Sequence, residues 1–198
     1  MLSDADAEAV YCAVPHNLHE QFYTDIIKAG KHLLGEKPFG IDKAANDAIM
    51  KCIEEHPHVF VRCTSHFPFF PPMQRIGRMI EEQAFGQIIE VNSGFLHASD
   101  LNPDKPINWK RILKVNGEYG CMGDMGWTPA FGGITGGIFE FGFSDAVQQL
   151  WAAFLHELTE GNPKSRFAGC VTPREVAYSH RLFTAALKSQ KISTTEKV

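Results

Sequence analysis

No apolar run in this sequence approaches the ~18 residues that a membrane-spanning helix requires, so no membrane partner is expected. Charge of one sign is also lacking. Lys and Arg number 19 against 23 Asp and Glu, a net charge of −4, which leaves no basic footprint for nucleic acid and no cationic face for a lipid surface. The five cysteines, Cys12, Cys52, Cys63, Cys121 and Cys170, are scattered and odd in number, contain no C-x-x-C pair and follow no signal peptide. A reducing cytoplasm is therefore the expectation. There is no internal repeat and no low-complexity tract, and 198 residues at 44% hydrophobic content suffice for one or two cores.

What is present is a pattern of short apolar runs separated by helical periodicity. Ala9 to Val14, Lys31 to Leu34 and Val59 to Thr64 read as buried parallel strands, with crossing helices at Glu20 to Ala29 and Lys43 to Glu54. The first helix is expected to bury Phe22, Ile26 and Ile27 and to end at Gly30, which accepts a positive φ; Asp42 is the expected N-cap of the second. In βαβ units the loops leaving the carboxyl ends of the strands line the ligand crevice. Pro15-His16-Asn17-Leu18-His19 and Glu36-Lys37-Pro38 should therefore lie side by side. Pro68, Pro71 and Pro72 mark a boundary near residue 67. Beyond it the sequence predicts a helix over Met73 to Gln83, a strand over Gln87 to Leu96, a turn at Asn102 to Asp104, and amphipathic helices over Ser144 to Glu160 and Pro173 to Ser189.

Lys37 is the leading chemical candidate, because the residue before a proline is kept out of the α region and a pinned stem suits a catalytic amine. The competing reading is a surface lysine in a turn. Trp109, Lys110 and Arg111 form a second group: an indole face suits a sugar ring, and cations suit hydroxyls or a carboxylate, although Trp109 could equally pack under a loop. His16 and His19 have the i, i+3 spacing of a metal pair, but no Cys, Asp or Glu completes the set, so no metal is expected. His156-Glu157 lacks the second histidine of a metalloprotease motif and reads as the polar face of a helix. Phe67, Phe69 and Phe70 read as interdomain packing, and His56, His58, His180 and Arg181 as surface residues.

Tyr11-Cys12-Ala13-Val14-Pro15-His16-Asn17-Leu18-His19 and Ala29-Gly30-Lys31-His32-Leu33-Leu34-Gly35-Glu36-Lys37-Pro38 are followed by Phe85-Gly86-Gln87-Ile88, Asn108-Trp109-Lys110-Arg111 and Gly120-Cys121-Met122-Gly123-Asp124-Met125-Gly126. Phe154-Leu155-His156-Glu157-Leu158 and Thr172-Pro173-Arg174-Glu175 come last. In this order and spacing they resemble the Gfo/Idh/MocA family of NAD(P)-dependent oxidoreductases. The resemblance implies an α/β fold: the second half of a Rossmann-like doubly wound parallel sheet, followed by a reduced α+β C-terminal domain. It divides the chain into residues 1–66, a partial dinucleotide-binding domain lacking its first strands, and residues 67–198, a substrate and oligomerisation domain. It implies NAD or NADP as cofactor, a sugar, polyol or related hydroxy compound as small-molecule substrate, and a homo-oligomer in the complete parent. Catalysis would fall to Lys37, as proton acceptor while a hydride leaves the substrate carbon, and to Asp124. Pro15, His16, His19, Glu36, Lys37 and Pro38 would touch the cofactor, and Lys37, Trp109, Arg111, Asp124 and Thr128 the substrate.

Three departures stand out. The family often has Thr-Pro-Asn where this chain has Val14-Pro15-His16. Its Asp-x-Gly-x-His motif appears as Asp124-Met125-Gly126-Trp127-Thr128, and a threonine cannot supply the ~100-fold to 10,000-fold that a general base gives. No G-x-G-x-x-G follows a strand and opens a helix, Met1-Leu2-Ser3-Asp4 looks like the interior of a family member, and the resemblance implies a gap after Pro129. A fragment with an internal deletion is the resulting expectation, and a noncatalytic remnant acting as a binding or assembly module is the alternative to an oxidoreductase. A metal-dependent hydrolase would rest on scattered histidines alone.

Overall fold

A computed structural model describes residues 2–90, 104–125, 143–163 and 169–196. Three parallel strands, β1 (Ala9–Cys12), β2 (His32–Gly35) and β3 (Val61–Cys63), lie in the order β1-β2-β3, with Val10 opposite Leu33 and Leu33 opposite Val61. The intervening helices are α1 (His19–Lys28) and α2 (Lys43–Glu55), which pack on each other. The apolar runs are thus strands and the 3.6-periodic segments are the crossings, as the pattern dictates. β1 stops short of Val14 because the Val14 carbonyl is turned away to the His19 ring at 2.9 Å. Gly30 takes φ +72 just past α1, and the Asp42 carboxylate accepts the Ala45 N–H at 2.8 Å as the α2 N-cap.

The buried stripe of α1 differs from the expected one. It consists of His19, Tyr23, Ile26 and Ile27, while Phe22 sits at the edge of that stripe and is 42% exposed. Tyr23 replaces it in the core because its ring stacks on His19, with centroids 4.7 Å apart, and its hydroxyl finds the Glu36 carbonyl at 2.8 Å. Val10, Cys12, Leu33, Val61 and Cys63 from the sheet and Val59 just ahead of β3 complete this core together with Ile49 and Cys52 of α2.

The chain forms two compact units that interleave along the sequence. The first comprises Met1–Thr64, Pro106–Trp127 and Val171–Val198, the second Ser65–Lys105 and Thr128–Cys170. In the first unit a 3-10 turn (Trp109–Arg111) leads to the short helices α4 (Leu113–Asn116) and α5 (Gly120–Met125), none of which has an apolar period in the sequence. The long helix α7 (Pro173–Ile192) packs on α2 and β3, and Val171 bridges antiparallel to Cys63. Thr172 and Glu175 form a reciprocal capping box at its start.

In the second unit a 3-10 turn carrying Phe67 and Phe69 lies against α6 (Phe143–Glu160), and α3 spans Pro71–Glu81. α3 begins two residues before the expected Met73 because proline is accommodated in the first helical turn. Residues 87–90 carry no strand, and residues 91–96 of the expected strand lie outside the described residues, as do Asn102 and Pro103. The reading of His156-Glu157 as a polar face is corrected at Glu157. This carboxylate is buried at the end of the stripe Ala146, Leu150, Phe154, Glu157 and accepts the Cys170 N–H at 2.6 Å.

Candidate active site

The loop Glu36 to Gly40 leaves the carboxyl end of β2, and side chains from α1, α2 and α7 hold its backbone on three sides. Tyr23 donates to the Glu36 carbonyl, Asn46 Nδ2 to the Phe39 carbonyl at 3.0 Å, and His180 Nε2 to the Pro38 carbonyl at 2.7 Å. The Gly40 N–H donates to His19 Nδ1 at 3.3 Å, so that ring must carry its proton on Nε2, where it donates to Val14. Phe39 has φ +66, a conformation a bulky residue adopts only when its surroundings impose it; here the ring is wholly buried and the carbonyl is held.

From this loop the Lys37 ammonium reaches Asp124 on α5, 2.7 Å from Oδ1, and also bonds the Asp124 backbone carbonyl. Lys110, from the 3-10 turn, donates to the same Oδ1 at 3.0 Å. Two ammonium groups thus converge on one carboxylate that is 5% exposed, leaving a net positive charge. Burial pushes the Asp124 carboxyl up, but Lys37, through its charge and its hydrogen bond, and then Lys110 together outweigh it and hold the pKa below the ordinary value. Asp124 is an anion at neutral pH.

His16 lies beside this cluster. Its ring meets Trp109 edge to face at 5.6 Å and His19 at 5.4 Å. Desolvation, followed by the charge of Lys37, lowers its pKa to about 4, so the ring is neutral. Its Nδ1 is buried and has no hydrogen-bond partner among the described residues. Pro15 starts the 3-10 turn bearing His16, and Glu36 accepts the Tyr11 hydroxyl at 2.8 Å.

The structure therefore brings Lys37, Asp124 and the His16 turn into one place, adds Lys110 to them, and sets Trp109 at its edge. His19 lies behind, fully buried with both nitrogens engaged in the protein, and Arg111 is exposed. Thr128 lies outside the described residues. Among the described residues no group of three or more His, Cys, Asp or Glu is placed to hold a metal. Lys110 was legible as one of three adjacent candidates but was not singled out; only the turn from Asn108, whose side chain accepts the Lys110 N–H, decides which of the three points inward. The surface reading of His180 is overturned: it is wholly buried, with a pKa lowered to about 4 chiefly by desolvation. The spacing Val176, His180, Phe183 along α7 carries the signal, since i, i+4, i+7 is a buried stripe.

A parallel sheet with helical crossings, and a lysine and carboxylate gathered where its strands end, is the architecture of a Rossmann-type α/β protein. Residues 1–63 match the sequence model of the Gfo/Idh/MocA oxidoreductase family, NAD-binding Rossmann fold. Levoglucosan dehydrogenase of Pseudarthrobacter phenanthrenivorans is 25% identical over 125 residues, 63% of this chain and 32% of the relative. A dTDP-3,4-didehydro-2,6-dideoxy-alpha-D-glucose 3-reductase of Actinomadura kijaniata is 26% identical over 95 residues, 48% of this chain and 28% of that one. The solved structure of levoglucosan dehydrogenase with NADH and levoglucosan superposes with a TM-score of 0.55 at 24% identity, covering 60% of this chain and 32% of the other, a likeness of fold. The chain spans about a third of the length of the curated relatives it matches.

Proposed function

We propose that this site is the proton-transfer and substrate side of an NAD(P)-dependent oxidoreductase acting on a sugar, polyol or related hydroxy compound. The observation that carries the reading is the Lys37–Asp124–Lys110 cluster at the carboxyl ends of parallel strands in a chain whose first 63 residues match an NAD-binding family. Two matched relatives are named for sugar substrates, which supports the substrate class. Lys37, as the neutral amine, takes the hydroxyl proton of the substrate in oxidation and, as the ammonium, returns it in reduction. Asp124 aligns the Lys37 ammonium, and Lys110 shares the same carboxylate oxygen. Trp109 offers its indole face to the ring of a bound sugar. NAD or NADP, when bound, exchanges the hydride with the substrate carbon.

Pro15, His16, Glu36, Lys37 and Pro38 would hold the nicotinamide end, and the buried, unpartnered His16 Nδ1 fits a polar group arriving there. His19 supports that turn from behind. Residues 1–66 serve as the dinucleotide-binding part and residues 67–198 as the substrate and assembly part of a cytoplasmic homo-oligomer. Among the described residues no helix is long and apolar enough to cross a membrane. A second reading, a noncatalytic binding or assembly module, is favoured by one observation: no G-x-G-x-x-G turn occurs in these 198 residues.

Turnover decides between them. Tested with NAD and NADP against a panel of sugars and polyols, the chain is expected to oxidise at least one, and Lys37→Met is expected to lower kcat by about 100-fold with little change in cofactor affinity. Kcat within a few-fold of the unsubstituted chain would make Lys37 structural, and no turnover across the panel would favour the noncatalytic reading.

A further inference from the structure

We propose that His180, on the C-terminal helix, is a positioning residue that braces Lys37 against Asp124, so that α7 sets the geometry of the proton-transfer pair from behind. The proposal rests on the oxidoreductase reading for its meaning and on separate contacts for its physics. The Pro38 carbonyl can only accept, so the 2.7 Å contact fixes the proton of His180 on Nε2 and ties the backbone one residue beyond Lys37 to α7. The same helix holds the other partner. Tyr119, the residue before α5, shares a hydrogen bond with Thr184 at 2.8 Å and donates to the His180 carbonyl at 3.4 Å, its hydroxyl also lying 3.4 Å from His180 Nδ1. Asp124 lies four residues into α5, beyond its first residue Gly120. One turn of α7 therefore fixes both the loop that carries Lys37 and the helix that carries Asp124, residues 87 positions apart in sequence.

This arrangement is more than core packing, because an apolar residue would fill the stripe between Val176 and Phe183 equally well. A wholly buried imidazole is justified there by the carbonyl it satisfies. Without that donor, the Pro38 carbonyl would have to seek another partner and the loop would shift, taking the Lys37 stem with it.

The test reads Lys37 directly, without cofactor or substrate. In the full chain, reductive methylation is followed site by site by mass spectrometry, with the exposed Lys51 as internal reference. In His180→Leu the Lys37 to Lys51 rate ratio is expected to rise about threefold or more, since a partly exposed ion pair confers only modest protection that a small displacement removes. In His180→Gln, whose amide can donate to the same carbonyl, the ratio should stay close to that of the unsubstituted chain. A ratio unchanged in folded His180→Leu, verified by circular dichroism, would overturn the proposal even if the melting temperature fell. Should His180→Leu fail to fold, Tyr119→Phe decides: it keeps the ring and removes the hydroxyl, and an unchanged ratio there would equally overturn the brace. Because labelling needs no turnover, loss of the brace and loss of the oxidoreductase reading are separate outcomes.

Discussion

A buried histidine stays neutral when desolvation outweighs the carboxylates near it, and three buried histidines of the first unit do so. His16, His19 and His180 have pKa values lowered from 6.5 to about 4, about 3 and about 4, in each case first by desolvation. In the unfolded chain they regain ordinary values, so below pH ~6.5 the unfolded state binds protons the native state does not. Their contribution to stability is complete above that pH and is lost as pH falls towards 4. For His180 alone the loss over this window is on the order of 3 kcal/mol. Asp124 acts in the same direction at lower pH: its depressed pKa stabilises the fold above the ordinary carboxylate range, and that contribution disappears on acidification. Urea midpoints measured at pH 7.5 and 5 should show a clear fall at the lower pH, and His180→Gln should flatten the dependence. A midpoint constant between these values would mean that the rings are not buried neutral.

At the scale of elements, the segment bearing Lys110 and Asp124 depends on one close approach of backbone to backbone. Gly117, which ends α4, has φ +83, and a Cβ there would lie 2.5 Å from the Ile41 carbonyl oxygen. Gly117→Ala should cost roughly 2 kcal/mol or more, combining about 1–2 kcal/mol for a side chain in the left-handed region with the displacement of Ile41. Because Ile41 closely follows the Lys37 loop, turnover of the variant should fall as well. A denaturant midpoint shift equivalent to less than about 0.5 kcal/mol, within the range of an ordinary surface substitution, would refute this packing.

For the whole molecule, the question is how much of a dinucleotide site these 198 residues supply. They supply the loops beyond β1 and β2, whereas pyrophosphate binding in this fold relies on backbone N–H groups at a Gly-rich turn opening a helix. Calorimetric titration of the chain with NAD and NADP is therefore expected to give dissociation constants well above the low micromolar range. Low micromolar binding would show that another part of the chain, or a second copy, replaces that turn.

The sequence by itself determined the elements whose signals are local. Alternation of apolar runs with helical periods marked β1 to β3 and α1 and α2; Asp42 and Gly30 marked helix ends; the Val176, His180, Phe183 stripe was there to be read on α7. Each depends on residues within a turn or two of one another. The site was legible as separate pieces, Lys37, Asp124 and the Trp109-Lys110-Arg111 triplet, but their meeting was not. Only the tertiary structure put Lys110 rather than Arg111 on Asp124, replaced Phe22 by Tyr23 in the core, and buried His180 behind Pro38. It also gathered residues 106–127 and 171–198 into one compact unit with the first 64 residues. The reason is physical: helix and strand signals arise from short-range periodicity, whereas which side chain is desolvated and which charge finds a partner depends on segments brought together from distant parts of the chain.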